Sequence, residues 1–238
     1  MKSFQRLSMI IWLSFGVSSG AQAQDSAAEF TPNDDAVHVV IYVETSTAGI
    51  PRAMGLLHLY REAGRMDPGN TSLELRQEVG RPYRFAILAQ WEDQAAYEAH
   101  ERGAEAMQLF AGLNEIQTAP PEKIVLQNFA VGLVRPSGGG RAQVYGITHI
   151  EIPSDRLAEF RALLSPFVET SRSDGGGMRF DVLQRLDPQQ NHLFLFESWT
   201  NPGDFEAHRS SEHAKNFREG LAAMLADLVD DRLYGAFD

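Results

Sequence analysis

Trp91-Glu-Asp-Gln-Ala-Ala-Tyr-Glu-Ala-His100 and Trp199-Thr-Asn-Pro-Gly-Asp-Phe-Glu-Ala-His208 are two versions of one stretch, 108 residues apart. In both, an aromatic residue, Glu-Ala and His follow the Trp in the same order. Upstream matches at an offset of 107 join Leu56, Leu57, Glu62, Arg65, Asp67 and Gly69 with Leu163, Leu164, Glu169, Arg172, Asp174 and Gly176. One residue inserted in a hairpin turn, Gly80–Pro82 or Asp187–Gln189, accounts for the changed offset. This period is too long for a solenoid repeat and predicts a duplicated domain.

Each copy predicts the same order of secondary-structure elements. Runs rich in β-branched and aromatic residues predict strands at Val37–Val43, Ser72–Val79, Arg84–Trp91 and Lys123–Val131, and again at Val144–Ile152, Arg179–Leu186, His192–Trp199 and Asp231–Phe237. Helices are expected at Pro51–Gly64 and Asp155–Ser171, the latter kinked at Pro166, and after the capping residues Asp93 and Asn201. The order β-α-β-β-α-β is that of a ferredoxin-like unit in the α+β class.

The third strand of each copy is apolar at every position, in Phe85–Ala89 and in Leu193–Phe196. A sheet with one wet face would alternate, so both faces should be covered. The helices cover one face, and the sheet of the other copy is the economical cover for the second. We therefore expect two domains, residues 36–135 and 142–238, packed sheet-to-sheet as an intrachain pseudo-dimer. The Gly- and Pro-rich segment Arg135–Ala142 would be the linker.

The first 23 residues read as a secretory signal peptide. Lys2 and Arg6 precede the apolar run Leu7–Val17, and Ala21-Gln-Ala23 supplies the small residues of a cleavage site. The alternative is a membrane anchor, but the run is about half of the ~20 residues that span a bilayer. We expect cleavage after Ala23 and a periplasmic or secreted protein. The chain has no cysteine, which excludes disulfides, Cys-linked haem and Cys nucleophiles.

The charge of the chain indicates which partners to expect. Removing Lys2 and Arg6 leaves 19 basic residues against 32 acidic ones, and changes the net charge from −11 to −13. Such a surface repels nucleic acids and anionic lipids, so we expect neither nucleic acid nor membrane as a partner. The sequence also lacks a GxGxxG fingerprint, a P-loop and a Ser nucleophile elbow. A small-molecule partner remains, and further association of chains stays open.

Several of these features together resemble the antibiotic biosynthesis monooxygenase domain. They are the strand that ends in Trp, the capped helix with His nine residues later, and the turn Arg172–Gly177 before Met178–Val182. The resemblance covers residues 36–135 and 142–238, and copy 2 is the clearer match. It implies ferredoxin-like domains paired as a dimeric α/β barrel. It also implies one of the family's activities, which include cofactor-free oxygenation of phenols, quinol oxygenation, haem degradation and isomerisation.

Glu197, His208 and His213 of copy 2 are the candidate catalytic residues. Glu197 lies on the same strand face as Trp199, among apolar residues, where a carboxylate is costly unless it is paired or hydrated. It could act as a general base or anchor a substrate hydroxyl. The alternative is a surface ion pair at the strand end. Ala89 replaces Glu197 in copy 1.

The two histidines face the sheet together only if their helix is broken near Ser210-Ser211, where copy 1 has Gly103. They would then line a cavity beside the sheet, although a backbone-bonded helix-terminal His is the simpler alternative. Candidates for substrate contact are Trp199, His149, His100 and Trp91. Of these, the tryptophans fit a shared core better, and Tyr42 matches His149. No metal site is expected, because His208 and Glu212 are two ligands without a predictable third.

The resulting hypothesis is an exported, cofactor-independent monooxygenase of a phenolic or quinol-type small molecule, with its working pocket in copy 2. A base would deprotonate the substrate, and the anion would then react with oxygen inside apolar walls. The alternative is a non-enzymatic periplasmic binding module for an apolar small molecule. Haem breakdown is disfavoured, because Ile41 and Thr148 lie near the position where the haem-degrading branch of the family has Asn.

Overall fold

The computed structural model describes residues 35–132, 142–186, 190–225 and 229–237. The predicted signal peptide, residues 135–141 of the predicted linker and the turn Asp187–Gln189 lie outside the described residues. The described parts of both copies belong to one compact unit.

Both copies have the predicted order of elements. Copy 1 consists of β1 (Val37–Thr45), α1 (Ile50–Gly64), β2 (Asn70–Glu78), β3 (Arg84–Trp91), α2 (Gln94–Glu101), α3 (Ala104–Leu113) and β4 (Gln117–Ala130). Copy 2 consists of β5 (Val144–Glu151), α4 (Leu157–Ser171), β6 (Gly177–Arg185), β7 (His192–Trp199), α5 (Pro202–Ser210), α6 (Glu212–Ala222) and β8 (Asp230–Ala236). One 3-10 turn precedes α1, and another precedes α4. The α+β class and the duplicated ferredoxin-like unit are confirmed.

The strands of the two copies close into one barrel in the order β1-β3-β2-β8-β5-β7-β6-β4. Each final strand pairs within its own copy and also with the other copy: β4 with β1 and β6, β8 with β5 and β2. Sheet-to-sheet packing within one chain is therefore confirmed. In addition, strands of the two sheets pair with each other at the sheet edges. Closure pairs the outer strands of both sheets, which removes the exposed edges that otherwise promote aggregation.

Alternation along the third strands explains why they are apolar throughout. On β3, Phe85 and Ile87 face the helices of copy 1, whereas Ala86 and Leu88 face the barrel interior. On β7, Leu193 and Leu195 face helices while Phe194 and Phe196 face the interior. The molecule therefore has three apolar layers: one under the helices of each copy and one shared inside the barrel.

The predicted helix break occurs in both copies. α5 ends at Ser210 and α6 begins at Glu212, because Ser211 between them is extended, with φ −65° and ψ 157°. The Ser211 side chain accepts a hydrogen bond from the Ala214 backbone N–H, so it caps α6. In copy 1, Gly103 stands at the corresponding break between α2 and α3. The break turns the start of α6 back toward the sheet.

The proline within α4 does not end that helix. The helix α4 continues through Pro166 to Ser171. Within the described part of the chain, the helices are too short or too polar to cross a membrane.

Candidate functional site

A repeated Asp-x-Gly turn brings a carboxylate onto the repeated histidine in each copy. Asp67 Oδ2 lies 2.7 Å from His100 Nδ1, and Asp174 Oδ2 lies 2.7 Å from His208 Nδ1. Gly69 and Gly176 have φ of 79° and 77°, a region that L side chains rarely adopt, so this turn requires glycine. The duplicated spacing is thus explained by one local structure that orients one imidazole.

Trp91 and Trp199 form the wall against which each imidazole packs. Both indoles are fully buried. The ring centroids lie 4.6 Å apart for Trp91 and His100, and 4.6 Å apart for Trp199 and His208. This placement fits the structural role favoured from the sequence, and it makes each tryptophan part of its histidine's surroundings.

The copies differ at the second nitrogen of the imidazole. In copy 1, His100 Nε2 is 2.7 Å from the Tyr60 hydroxyl, so both nitrogens are engaged. Copy 2 has Phe167 at the position of Tyr60, and Phe167 offers no hydroxyl. His208 Nε2 instead lies 3.9 Å from Glu197 Oε2. Copy 2 therefore places a carboxyl group beside this nitrogen, where copy 1 has the hydroxyl group of Tyr60.

Glu197 is a buried carboxyl group between the sheet and the helices of copy 2. Its Oε2 accepts a hydrogen bond from Trp199 Nε1 at 2.7 Å, on the strand face that the two residues share. Burial raises the pKa of Glu197 to about 7, partly opposed by the Trp199 hydrogen bond. Among the described residues, the Trp91 indole N–H has no hydrogen-bond partner, since Ala89 replaces the glutamate. A carboxyl group poised near neutral pH is suited to general acid–base chemistry.

The surroundings of His208 favour its neutral form. Burial lowers its pKa, opposed by the hydrogen bond and charge of Asp174. With a carboxylate acceptor at Nδ1, the network assigns the proton to Nδ1 and leaves a lone pair on Nε2, on the side of Glu197. Glu197 and His208 thus lie side by side, and their outer hydrogen-bond partners are Trp199 and Asp174.

His213 joins the same cluster through Asp174. Its Nε2 lies 2.9 Å from Asp174 Oδ2 and 3.2 Å from Ser211 Oγ, so one carboxylate oxygen contacts two imidazoles. One ligand atom from each of Asp174, His208 and His213 lies within 4.8 Å of the other two, so among the described residues this group could hold a metal ion. In the sequence, Asp174 matches Asp67 within the repeat, but no local pattern there indicates its role. Asp174 thus holds the cluster together, because its Oδ2 contacts His208 Nδ1 and His213 Nε2.

His149 lies on the other face of the sheet. It points into the barrel, where its Nε2 is 2.7 Å from the Tyr42 hydroxyl and its ring packs on Phe194. The structure therefore does not bring His149 together with Glu197 and His208. His100 belongs to the copy 1 cluster, also away from Glu197.

Two recesses lined by described residues lie in the barrel rather than beside His208. One, of about 20 Å³, is bordered by residues such as His38, Glu74 and Arg179. The other, of about 200 Å³, is bordered by Tyr42 and Arg232 among others. Neither is lined by Glu197, His208 or His213, which the sequence had placed at a cavity. Two aromatic rings pack near His208: Phe167 and Phe180 lie 5.9 and 5.6 Å from the His208 ring.

Two ferredoxin-like copies closed into one barrel, each with an Asp–His–Trp cluster between sheet and helices, define a tandem dimeric α/β-barrel protein. A sequence model described as "Antibiotic biosynthesis monooxygenase" matches residues 37–111 and 144–220, and the chain belongs to this family. An uncharacterized protein of Synechocystis sp. is 27% identical over 86 residues, which are 36% of this chain. The match spans 58% of the length of that relative.

Solved structures with the same fold include proteins in which one chain carries the whole arrangement. A provisionally named monooxygenase from Lactobacillus acidophilus NCFM has a TM-score of 0.70 at 13% identity, covering 86% of this chain and 95% of its own. One from Fusobacterium nucleatum has a TM-score of 0.75 at 14% identity, covering 85% and 93%. An anthrone oxidase-like protein has a TM-score of 0.64 at 18% identity, covering 85% and 91%. At these identities the likeness establishes the fold.

Proposed function

We propose that this chain is a cofactor-independent monooxygenase of a phenolic or quinol-type small molecule, with its active site in copy 2. The single observation that carries the proposal is the buried pair Glu197–His208, with Oε2 and Nε2 3.9 Å apart and with no counterpart in copy 1. Family membership supports the reaction class.

In the proposed reaction, the basic partner of the pair removes the acidic proton of the substrate. A pKa near 7 makes Glu197 an effective base at neutral pH, and the lone pair of His208 Nε2 can relay the proton. The resulting carbanion or phenolate is electron-rich and reduces O2 directly. For a substrate with an activated CH2 group, the balanced outcome is CH2 + O2 → C=O + H2O. One oxygen atom enters the product and the other leaves as water, so no external reductant is required.

The surroundings of the pair favour a flat aromatic substrate. Trp199, Phe167 and Phe180 surround His208, and Phe167 also stacks on Phe217 with centroids 3.9 Å apart. Apolar rings would protect a peroxide intermediate from water. One structural neighbour is named an anthrone oxidase-like protein, and anthrone is a flat aromatic molecule with an activated CH2 group. Asp174 and His213, each about one-fifth exposed, lie on the side from which substrate would enter.

The test is oxygen consumption by the purified chain with a panel of anthrones, hydroquinones and polyphenols, before and after chelator treatment. We expect turnover that survives chelation and falls roughly 100-fold or more in Glu197→Gln. Ala89→Ser, at the matching position of copy 1, is the control and should retain activity. Turnover abolished by the chelator would contradict cofactor independence. It would point instead to the Asp174–His208–His213 group as a metal site.

The binding-module alternative rests on a different feature, the recess at Tyr42 and Arg232, whose volume of about 200 Å³ would hold only a ligand smaller than those of typical pockets. Its border includes Glu44, Glu78 and Arg84. That lining suits a polar molecule better than the apolar one expected from the sequence. Saturable binding without turnover of any panel member, undisturbed by Glu197→Gln, would favour this function.

A further inference from the structure

Glu197 has a neighbour whose importance the sequence does not reveal. Gly146 on β5 is the register partner of Glu197 on β7. A Cβ atom at position 146 would lie 2.7 Å from Glu197 Cγ, 2.8 Å from Oε1 and 3.1 Å from Cδ. Real Cβ atoms essentially never approach so closely, and the crowding involves the side-chain stem as well as its end. Any side chain at this position would displace the carboxyl group.

Copy 1 shows the opposite choice at the same two positions. Val39 on β1 is the register partner of Ala89 on β3, and both are buried in the apolar layer under the helices. In each copy, a larger residue on one strand thus faces a smaller one on the neighbouring strand. The larger residue is on the first strand in copy 1 and on the third strand in copy 2. Where copy 1 has Val and Ala, copy 2 has Gly and Glu.

We propose that Gly146 is the positioning residue for Glu197: the missing side chain at position 146 is the space in which the carboxyl group reaches Trp199 and His208. The two positions form one unit, so that Glu197 requires Gly146 and Val at position 146 requires a small residue at position 197. The catalytic part of this inference rests on the proposed function; the packing part does not.

The physical reason is the direction in which Glu197 would move. Its Oε2 is fixed on one side by the Trp199 indole N–H at 2.7 Å. Contact from β5 pushes the Cγ and Oε1 atoms away from that strand, which breaks the alignment with Trp199 and changes the 3.9 Å separation from His208 Nε2. Displacements of this size near a reacting group can cost roughly 100-fold in rate.

The experiment uses Gly146→Ala, Gly146→Val and Glu197→Ala, and the double variant Gly146→Val with Glu197→Ala that reproduces the Val39–Ala89 pair. Gly235→Ala is the matched control, because Gly235 also lies on a strand and a Cβ there would meet nothing within 4 Å. All are made in the full chain. Melting temperature and the indole N–H resonances of Trp91 and Trp199 are recorded for each, and kcat and KM wherever the wild type turns over.

We expect Gly146→Ala to shift the Trp199 indole resonance and leave that of Trp91 in place, with a fall in kcat of roughly 100-fold and little change in KM. Gly235→Ala should do neither. Gly146→Val should lower the melting temperature by several degrees, and adding Glu197→Ala should restore much of that loss. If the wild type proves inactive, the resonance shift and the melting-temperature rescue still decide the positioning role. An unmoved Trp199 resonance in Gly146→Ala, or equal destabilisation by Gly146→Val with Glu or Ala at position 197, would overturn it.

Discussion

Tyr42 and His149 occupy equivalent positions in the two copies, 107 residues apart, and hydrogen-bond to each other inside the barrel, with 2.7 Å between Oη and Nε2. Equivalent residues meet only near the axis that relates the two copies. If both positions held the same residue, the hydrogen-bond donor and the hydrogen-bond acceptor would have to be the same chemical group. Exchange of one of them to His gives a donor hydroxyl and an acceptor nitrogen. The duplicated chain can therefore build an asymmetric contact at its own centre.

This contact predicts an acid-sensitive contribution to stability. Burial and the nearby Arg232 lower the pKa of His149 from 6.5 to about 4. A depressed pKa in the folded protein means that stability is present above pH 6.5 and is lost as the pH falls from 6.5 toward 4. His149→Gln keeps an acceptor but cannot be protonated. Chemical denaturation at several pH values should show wild type losing stability relative to this variant over that interval. Parallel curves would refute the prediction.

Glu197 predicts the opposite pH dependence. Its pKa is raised from 4.5 to about 7 by burial, so the folded protein favours the protonated carboxyl group. Wild type should lose stability relative to Glu197→Gln as the pH rises from 4.5 to 7, by up to about 3 kcal/mol, and the difference should stay constant above pH 7. Glu62→Gln on the exposed face of α1 serves as control. A difference that does not change with pH would show that Glu197 titrates normally.

The two buried tryptophans should differ in what their N–H groups contribute. Replacing either by Ala should cost about 3–5 kcal/mol, because both are fully buried. Trp199→Phe also removes the donor to Glu197 and should cost about 1–3 kcal/mol more than Trp91→Phe, whose indole N–H has no partner among the described residues. Denaturant unfolding of the two Phe variants measures the difference. Equal costs would mean that the Trp199–Glu197 hydrogen bond adds no net stability.

Alanine variants of the matched histidines should distinguish a loss of stability from a loss of activity. His208→Ala removes one partner of the proposed acid–base pair, whereas His100→Ala removes two hydrogen bonds, with Asp67 and Tyr60, and the packing on Trp91. We expect both variants to melt at lower temperature and oxygen consumption to fall strongly in His208→Ala alone. The assay compares initial rates well below both melting temperatures. The same loss of activity in both variants would show that the copies are functionally equivalent.

Export remains a prediction from the sequence, and we propose that it occurs with cleavage after Ala23. Expression of the full chain in a Gram-negative host should give a periplasmic protein whose N-terminal residue is Gln24, as read by mass spectrometry. Replacing Ala21 and Ala23 with Phe should block processing, because signal peptidases accept small side chains at these positions. A soluble protein with Met1 retained would contradict the proposal.

The sequence by itself determined the duplication, the order of the elements and the closing of two sheets upon each other. These follow from local signals: the repeated Trp and His, the capping residues Asp93 and Asn201, and strands that are apolar on both faces. It also placed Glu197 beside Trp199, because side chains on one strand face recur every second residue.

Only the tertiary structure decided which groups meet across the strands and turns. The contact of Asp174 with two imidazoles, the contact of Tyr42 with His149 and the exchange of Val39–Ala89 for Gly146–Glu197 join residues far apart in the chain. The same pattern predicted a polar cavity beside His208; the two recesses described above lie elsewhere, and Phe167 and Phe180 pack near the His208 ring. Hydrophobic periodicity determines the face on which a residue lies. The register between strands and the packing of the helices determine what it touches there, and with it the pKa of Glu197.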